Sequence, residues 1–317
     1  MSVSYKNNNK ILVYQQLIKG NFIDNGYKDC YKYFQPSSID IPILSIIKPS
    51  INNTKSISLI KGVKYEAQCG IINIPEGYFG LLSPKSSIGR MDISVKSFTK
   101  STDLYNIVLP GTKDILYLEI VSNSFNITNL PECLIQLSVI YINEFIRDQN
   151  IISIYNNTLL YDKQYILHID ISKYYRAKDT CSSIDMNSHS NNSDEFFTMF
   201  ESSDNYEQLE KNKFYIFATK EKINIPNNYS GEMMPFTHMI GEFRVHYAGF
   251  FDPGFGSNGG NVAVLEIRPY ENVIVKDGQS ICVLNYYENA EIPEKIYGSL
   301  DNNYNEQKNI VLAKYFK

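Results

Sequence analysis

Two short strings in this chain hold residues suited to polar chemistry. "SPKSSIGR" at 83–90 sets Lys85, Ser86, Ser87 and Arg90 around a glycine. Two cations and two hydroxyls at a permissive turn can cradle a polyphosphate, the hydroxyls and backbone N–H groups donating while the cations neutralise charge. A solvated basic loop is the commoner origin of such a string. "AGFFDPGFG" at 248–256 is the second. Pro253-Gly254 marks a turn between strand formers. Its backbone can read the edge of a base, its rings can cover base and sugar, and Asp252 can accept from a sugar hydroxyl. The plain alternative is a tight turn with its rings in the core. Base and polyphosphate together make a nucleotide.

A third candidate is Glu266, in the apolar run "NVAVLEIRP". A carboxylate is costly to bury, although strand alternation also lets it face outward. Metal chemistry has little support. The cysteines, Cys30, Cys69, Cys133, Cys181 and Cys282, are scattered and never form C-x-x-C, and the four histidines lack ligand spacing. His168 and His246 fall in strand-like runs, where packing or hydrogen bonding is the expected role. The H-x-E and P-C-x-x-C strings of zinc nucleobase deaminases do not occur, so no zinc is expected.

The elements that must position these residues read as β. Runs such as "YLEIVS", "LSVIYI", "FYIFAT", "VAVLEI" and "ICVLNYY" are separated by Asn, Gly, Pro and Ser clusters. Helical spacing is confined to "NKILVYQQLIKGNFI", with its glycine stop, and to "EFFTMFESSDNYEQLEKN", which predicts a short helix. "CSSIDMNSHSNNSDE" has no apolar period and reads as a flexible loop or linker.

An internal repeat organises the chain. "INIPEGYFG" at 72–80 returns as "INIPNNYSG" at 223–231, "SIGR" at 87–90 as "MIGE" at 239–242, and "YLEI" at 117–120 as "VLEI" at 264–267, each about 150 residues on. "SIDI" at 38–41 pairs with "HIDI" at 168–171 at a shorter offset. The reading is a tandem duplication of one β-rich domain, 1–152 and 153–317. The copies have diverged in a complementary way. Copy one keeps the basic string and has Gln136 where copy two has Val283. Copy two has the hairpin and puts His238 and Glu242 in the place of the cradle. One composite site shared by the copies accounts for this.

"KSSIGR", "AGFFDPGFG" and "VLEI", in that order, with "QPSSIDI" at 35–41, resemble the dCTP deaminase and dUTPase superfamily, and the chain as a whole is similar to the two-domain dCTP deaminases of some bacteria. The resemblance implies a mainly β fold, two tandem dUTPase-like distorted β-barrel or jelly-roll domains with a few short helices. It also implies hydrolysis of dCTP to dUTP and ammonia, Mg²⁺ carried on the triphosphate, and a homo-oligomer. Position by position, it puts Lys85, Ser86, Ser87 and Arg90 on the phosphates and the catalytic water, and Gln136 on the phosphate side. Ala248, Gly249, Phe250 and Asp252 fall on base and deoxyribose, Glu266 on the catalytic glutamate, and Tyr304 and Gln307 in a C-terminal lid. Lys85 replaces the usual arginine, Gly249 stands where some relatives have histidine, and Lys308 stands near a lid glycine of others.

The chemistry agrees with that assignment. Deamination at C4 needs a water, a base for its proton and an acid for the leaving amine. One carboxyl with a pKa raised by burial serves as both. Glu119 has the same local context as Glu266 but lacks the hairpin. A dUTPase, a bifunctional enzyme and a non-enzymatic nucleotide-binding regulator are the alternatives. The 317 residues carry 43% apolar and 20% charged side chains and a net charge of −4, which offers nothing to nucleic acid or an anionic membrane. No apolar run is long enough to span a bilayer, and "MSVSYKNNNK" lacks a signal-peptide core, so a cytoplasmic protein is expected.

Overall fold

Strand-forming runs dominate a computed structural model of the chain, which describes residues 9–24, 31–49, 56–102, 104–142, 163–236, 243–245, 249–299 and 309–317. The first half contains β1 (Lys10–Ile11), β2 (Ile23–Asp24), β3 (Ile39–Lys48), β4 (Lys64–Ile74), β5 (Tyr78–Pro84), β6 (Ile93–Thr99), β7 (Ile107–Val108), β8 (Thr112–Ser122), β9 (Asn126–Thr128) and β10 (Cys133–Tyr141). The second contains β11 (Lys163–Ala177), β12 (Ser183–Asp185), β13 (Phe197–Glu201), β14 (Tyr206–Leu209), β15 (Tyr215–Ile223), β16 (Tyr229–Pro235), β17 (Phe243–Val245), β18 (Phe250–Phe251), β19 (Asn261–Pro269), β20 (Val273–Lys276) and β21 (Ser280–Glu288). The α-helices among the described residues are short: α1 (Tyr14–Lys19), α2 (Ser86–Gly89) and α3 (Ser193–Phe196).

The duplication is visible in the pairing. One sheet runs β6-β8-β4-β3-β10-β5-β7 and the other β17-β19-β15-β11-β21-β16-β18. The same order is used twice, with the repeated "INIP" strings closing the turns between β4 and β5 and between β15 and β16. Each is a distorted, barrel-like antiparallel assembly. The boundary at 152/153 lies outside the described residues.

Two expectations change. The string 195–212 holds no helix beyond the end of α3, because Phe197–Glu201 pairs with β11 and Tyr206–Leu209 with β20. Cross-strand burial of Phe197 outweighs the local helical spacing. The Ser/Asn tract is not a loose linker either. β12 pairs in parallel with β9 of the first half, and side chains replace the missing apolar period. Asn191 Nδ2 donates to the Asp185 carbonyl at 2.9 Å and to the Tyr315 carbonyl at 2.7 Å, and Asn129 Nδ2 donates to Asp185 Oδ1 at 2.8 Å. Asn, Asp and Ser satisfy the backbone locally in this way. The expected first helix is one and a half turns, and Gly20 ends it. No described helix is long and apolar enough to cross a membrane.

The face assignment of β19 matters most. Ala263, Leu265 and Ile267 enter the second half's own core, whereas Val262 and Val264 belong to the core centred on the first half. Alternation puts Glu266 and Arg268 on the same face as Val262 and Val264. The strand is therefore covered on both sides, with Ile88, Met91 and Ile93 of the first half in the apolar cluster that takes in Ile216, Val262 and Val264.

Candidate active site

The basic string leaves β5 and winds into the single turn of α2, capped by Arg90. Arg90 is 4% exposed, and its Nη1 donates to the Val311 carbonyl at 3.1 Å. Glu266 is its neighbour across the junction. It is 1% exposed, and neither carboxylate oxygen has a hydrogen-bond partner. Burial pushes its pKa up to about 8; the Arg90 charge pulls it down and the Asp92 charge adds to the rise. Such a carboxyl exchanges protons near neutral pH.

The rest of the cradle forms around β3. Asp40, 6% exposed, accepts from Lys85 Nζ and, at 3.3 Å, from Gln35 Nε2. Burial raises its pKa, against the pull of Lys85. Ser86 is half-buried and Ser87 buried in α2. Gln136, in β10, accepts from Ser38 Oγ at 3.4 Å and donates to Ser83 Oγ at 3.3 Å, so it joins β3 to the start of the basic string. Lys314 comes from the C-terminal segment. Burial lowers its pKa, as does nearby Lys85, while Asp40 works against them.

The hairpin reaches this cradle within the same chain. Asp252 Oδ1 accepts from Ser37 N at 3.1 Å and from Ser37 Oγ at 2.9 Å. Burial pushes Asp252 up to about 6 and the Ser37 bonds pull it down. The rings do structural work as well. Phe251 packs on Phe255 at 4.9 Å and Phe255 on Tyr297 at 5.3 Å, while Phe250 lies against the cluster of Ile11, Phe79, Leu81, Ile140, Ile142 and Tyr287 that joins the halves. Gly249 has a specific reason to be glycine: a Cβ there would stand 2.7 Å from Met233 Cβ and 2.8 Å from the Met233 carbonyl. The backbone that admits Gly249 leaves no room for the histidine of some relatives. Ala248, Tyr304, Gln307, Lys308, His238 and Glu242 lie outside the described residues.

Copy one's Glu119 provides the contrast. Its side chain is 21% exposed and bound to Lys64 at 2.7 Å, with Lys96 at 3.9 Å. His168 Nδ1 lies 2.6 Å from Glu221 Oε1. Cys69, Cys133, Cys181 and Cys282 are free thiols.

The structure thus brings Asp252 of the second half to Ser37 and the Lys85–Asp40 pair, and Glu266 to Arg90 and Asp92, while Gln136 joins β3 to the basic string and Gly249 packs on Met233. Sequence reasoning missed Ser37, Asp40, Asp92, Arg268 and Lys314 as members. Ser37 and Asp40 lay in the "QPSSIDI" string, which had drawn notice without a role. Lys314 had no local signal.

Comparison with known proteins gives the family. The model of the 2'-deoxycytidine 5'-triphosphate deaminase C-terminal domain matches residues 146–316, and that of the N-terminal domain matches residues 50–140. The chain belongs to the dCTP deaminase family. It is thus a member of an enzyme family, with the mainly β fold of that family. A crystal structure of 2'-deoxycytidine 5'-triphosphate deaminase from Agrobacterium tumefaciens is similar at a TM-score of 0.76 and 25% identity, over 90% of this chain and 99% of that one. No curated protein matches the sequence. The two family models divide the chain between residues 140 and 146; the basic string and Gln136 fall within the first match, and Gly249, Asp252, Glu266 and Lys314 within the second.

Proposed function

We propose that the chain hydrolyses dCTP to dUTP and ammonia, with Glu266 as the group that carries the proton. The observation behind this is the buried Glu266 carboxyl, without a hydrogen-bond partner, beside a basic cradle from the other half. Ionised Glu266 takes a proton from a water that attacks C4 of the cytosine. The same carboxyl then gives that proton to the departing amine, so one group serves both steps. Arg90 stabilises the ionised form, and the Ser86 hydroxyl holds the water. Lys85, Ser87, Gln136 and Lys314 face the triphosphate, and Asp252 accepts from the deoxyribose hydroxyl. Tyr304 and Gln307 would close over the phosphates, and Ala248, Gly249 and Phe250 would frame the base.

The cradle's ionic groups, Lys85 and Lys314 beside an Asp40 already engaged by Lys85 and Gln35, suit phosphate oxygens better than a bare dication. Mg²⁺ would reach the site on the triphosphate and supply charge neutralisation there. Among the described residues, no three His, Cys, Asp or Glu side chains gather as a metal site, and no step proposed for these residues needs zinc. Incubating the protein with dCTP and Mg²⁺ and identifying the products tests the reading. It expects dUTP and ammonia. A dUMP product would add the dUTPase reaction, and unchanged dCTP would refute the proposal.

A further inference from the structure

The junction beside Glu266 contains an ion pair, Asp92 with Arg268, that is largely buried and that the proton transfer does not itself require. Asp92 is 0% exposed and sits in the left-handed backbone region at φ 55°, where the chain turns from the Arg90 cap into β6. Its Oδ2 accepts from Arg268 Nη2 and, at 2.6 Å, from Ser124 Oγ, while Oδ1 accepts from Arg268 Nε at 3.4 Å. Asn123 binds the Asp92 carbonyl through both N and Nδ2 at 3.0 Å. Arg268 also donates to Ser124 Oγ at 2.8 Å and to the Asn212 carbonyl. The corner and the guanidinium are both held on several sides.

The spacing is reciprocal. Arg90 and Asp92 are two residues apart in the first half, and Glu266 and Arg268 are two residues apart on one face of β19. The signs are reversed, so each acid meets a base from the other half. The fold itself does not demand this. In the repeated strand of copy one, Val121 stands at the position of Arg268, counted from the aligned "YLEI" and "VLEI".

We propose that Asp92 and Arg268 are positioning residues of the reaction: their ion pair pins the corner that carries Arg90 and so fixes Arg90 against Glu266. The inference rests on Glu266 as proton carrier. By engaging Asp92, Arg268 also prevents a buried carboxylate from competing with Glu266 for Arg90. Among the described residues, the charged groups that act on Glu266 are Arg90 and Asp92. β15 meets it with Ile216, and on the β17 side Arg244 lies opposite Arg268 in backbone register.

The test is the pH profile of kcat/KM for dCTP in Asp92→Asn, Arg268→Met and the double variant. Removing the Asp92 charge takes a repelling acid from Glu266, so the inflection moves to lower pH, by about one pH unit. Removing Arg268 leaves the Asp92 charge uncompensated, so the inflection moves up and kcat falls roughly tenfold, more than KM changes. Arg268 acts through Asp92, so the double variant follows Asp92→Asn. Should Arg268→Met not fold, Arg268→Lys replaces it: the charge keeps the inflection in place, while loss of the fork lowers kcat. A brace that only joined the halves would lower stability in every variant and leave the inflection unmoved. Unmoved inflections in Asp92→Asn and Arg268→Met, or shifts of one sign in the two, would overturn the inference while a dead Glu266→Gln protein keeps the reading of Glu266; where Arg268→Lys stands in, an unmoved inflection in Asp92→Asn or an unchanged kcat in Arg268→Lys overturns it. An active Glu266→Gln protein would overturn that reading instead.

Discussion

Glu266 and Glu119 occupy the same place in two copies of one strand, yet only Glu266 is sealed against another domain. Both point outward from their own sheet. Outward from β19 is the first half of the chain, whose Ile88, Met91 and Ile93 share an apolar cluster with Val262 and Val264. Outward from β8 are Lys64 and Lys96, which bind Glu119 at the edge of solvent. The difference in chemistry between two equivalent glutamates comes from what covers them.

That contrast gives the first prediction. Glu266→Gln keeps volume and packing but cannot take the water's proton. Turnover of dCTP should fall by about a thousandfold or more, with dCTP affinity within about tenfold of the parent protein. Glu119→Gln should keep near-parental turnover. Steady-state rates and calorimetric titration of both proteins check this, and similar rates for the two variants would refute the assignment.

The burial of Glu266 also sets a stability profile. Its folded pKa of about 8 lies above the ordinary 4.5. Below the ordinary value the carboxyl is neutral in both states. Between the two values the unfolded chain ionises while the folded chain keeps its proton, so stability falls as pH rises, and the loss is complete above the folded value. The stability of the parent relative to Glu266→Gln should drop by on the order of 3–5 kcal/mol from pH 5 to pH 8.5. Denaturant titrations across that range measure it. Parallel curves would show that Glu266 is not held in a water-poor site.

Much of this was legible in the sequence. The repeat foretold one strand order used twice, and the two diverged strings named the residues from which the site proposed above is drawn. The orientation of Glu266 was open because alternation says which face a residue takes, not what lies over that face. The Ser/Asn tract was misread for a related reason. Its order comes from side-chain amides bonding backbone around Asp185 and Asn191, and from the C-terminal segment laid on them through Tyr315. Apolar periodicity is blind to such bonds. Lys314 was missed because only that docking brings it to Lys85 and Asp40.

Lys314 supplies a separate test. Lys314→Ala should raise KM for dCTP by roughly tenfold with a smaller change in kcat, the size of one charge-assisted bond to phosphate. Deoxycytidine, which has no phosphates, should bind both proteins equally. Unchanged KM would remove Lys314 from the cradle.

Gly249 tests the hairpin backbone. The Gly249 carbonyl accepts from Met233 N at 2.7 Å, and a methyl group at Gly249 would press on Met233. Gly249→Ala should cost about 1–3 kcal/mol of stability by overpacking and weaken dCTP binding with it. A thermal midpoint equal to the parent's would contradict the close approach.

In the proposed enzyme the two halves of one chain build one site. Arg90→Ala protein lacks the cradle arginine and Glu266→Gln protein lacks the proton carrier, so each is inactive alone. Co-refolding the two in equal amounts and measuring dCTP turnover shows whether the halves meet within one chain. With Arg90 and Glu266 meeting within a chain, the mixture stays inactive. If sites formed between chains, random pairing of intact halves would restore about a quarter of the parental activity, and that recovery would contradict the account.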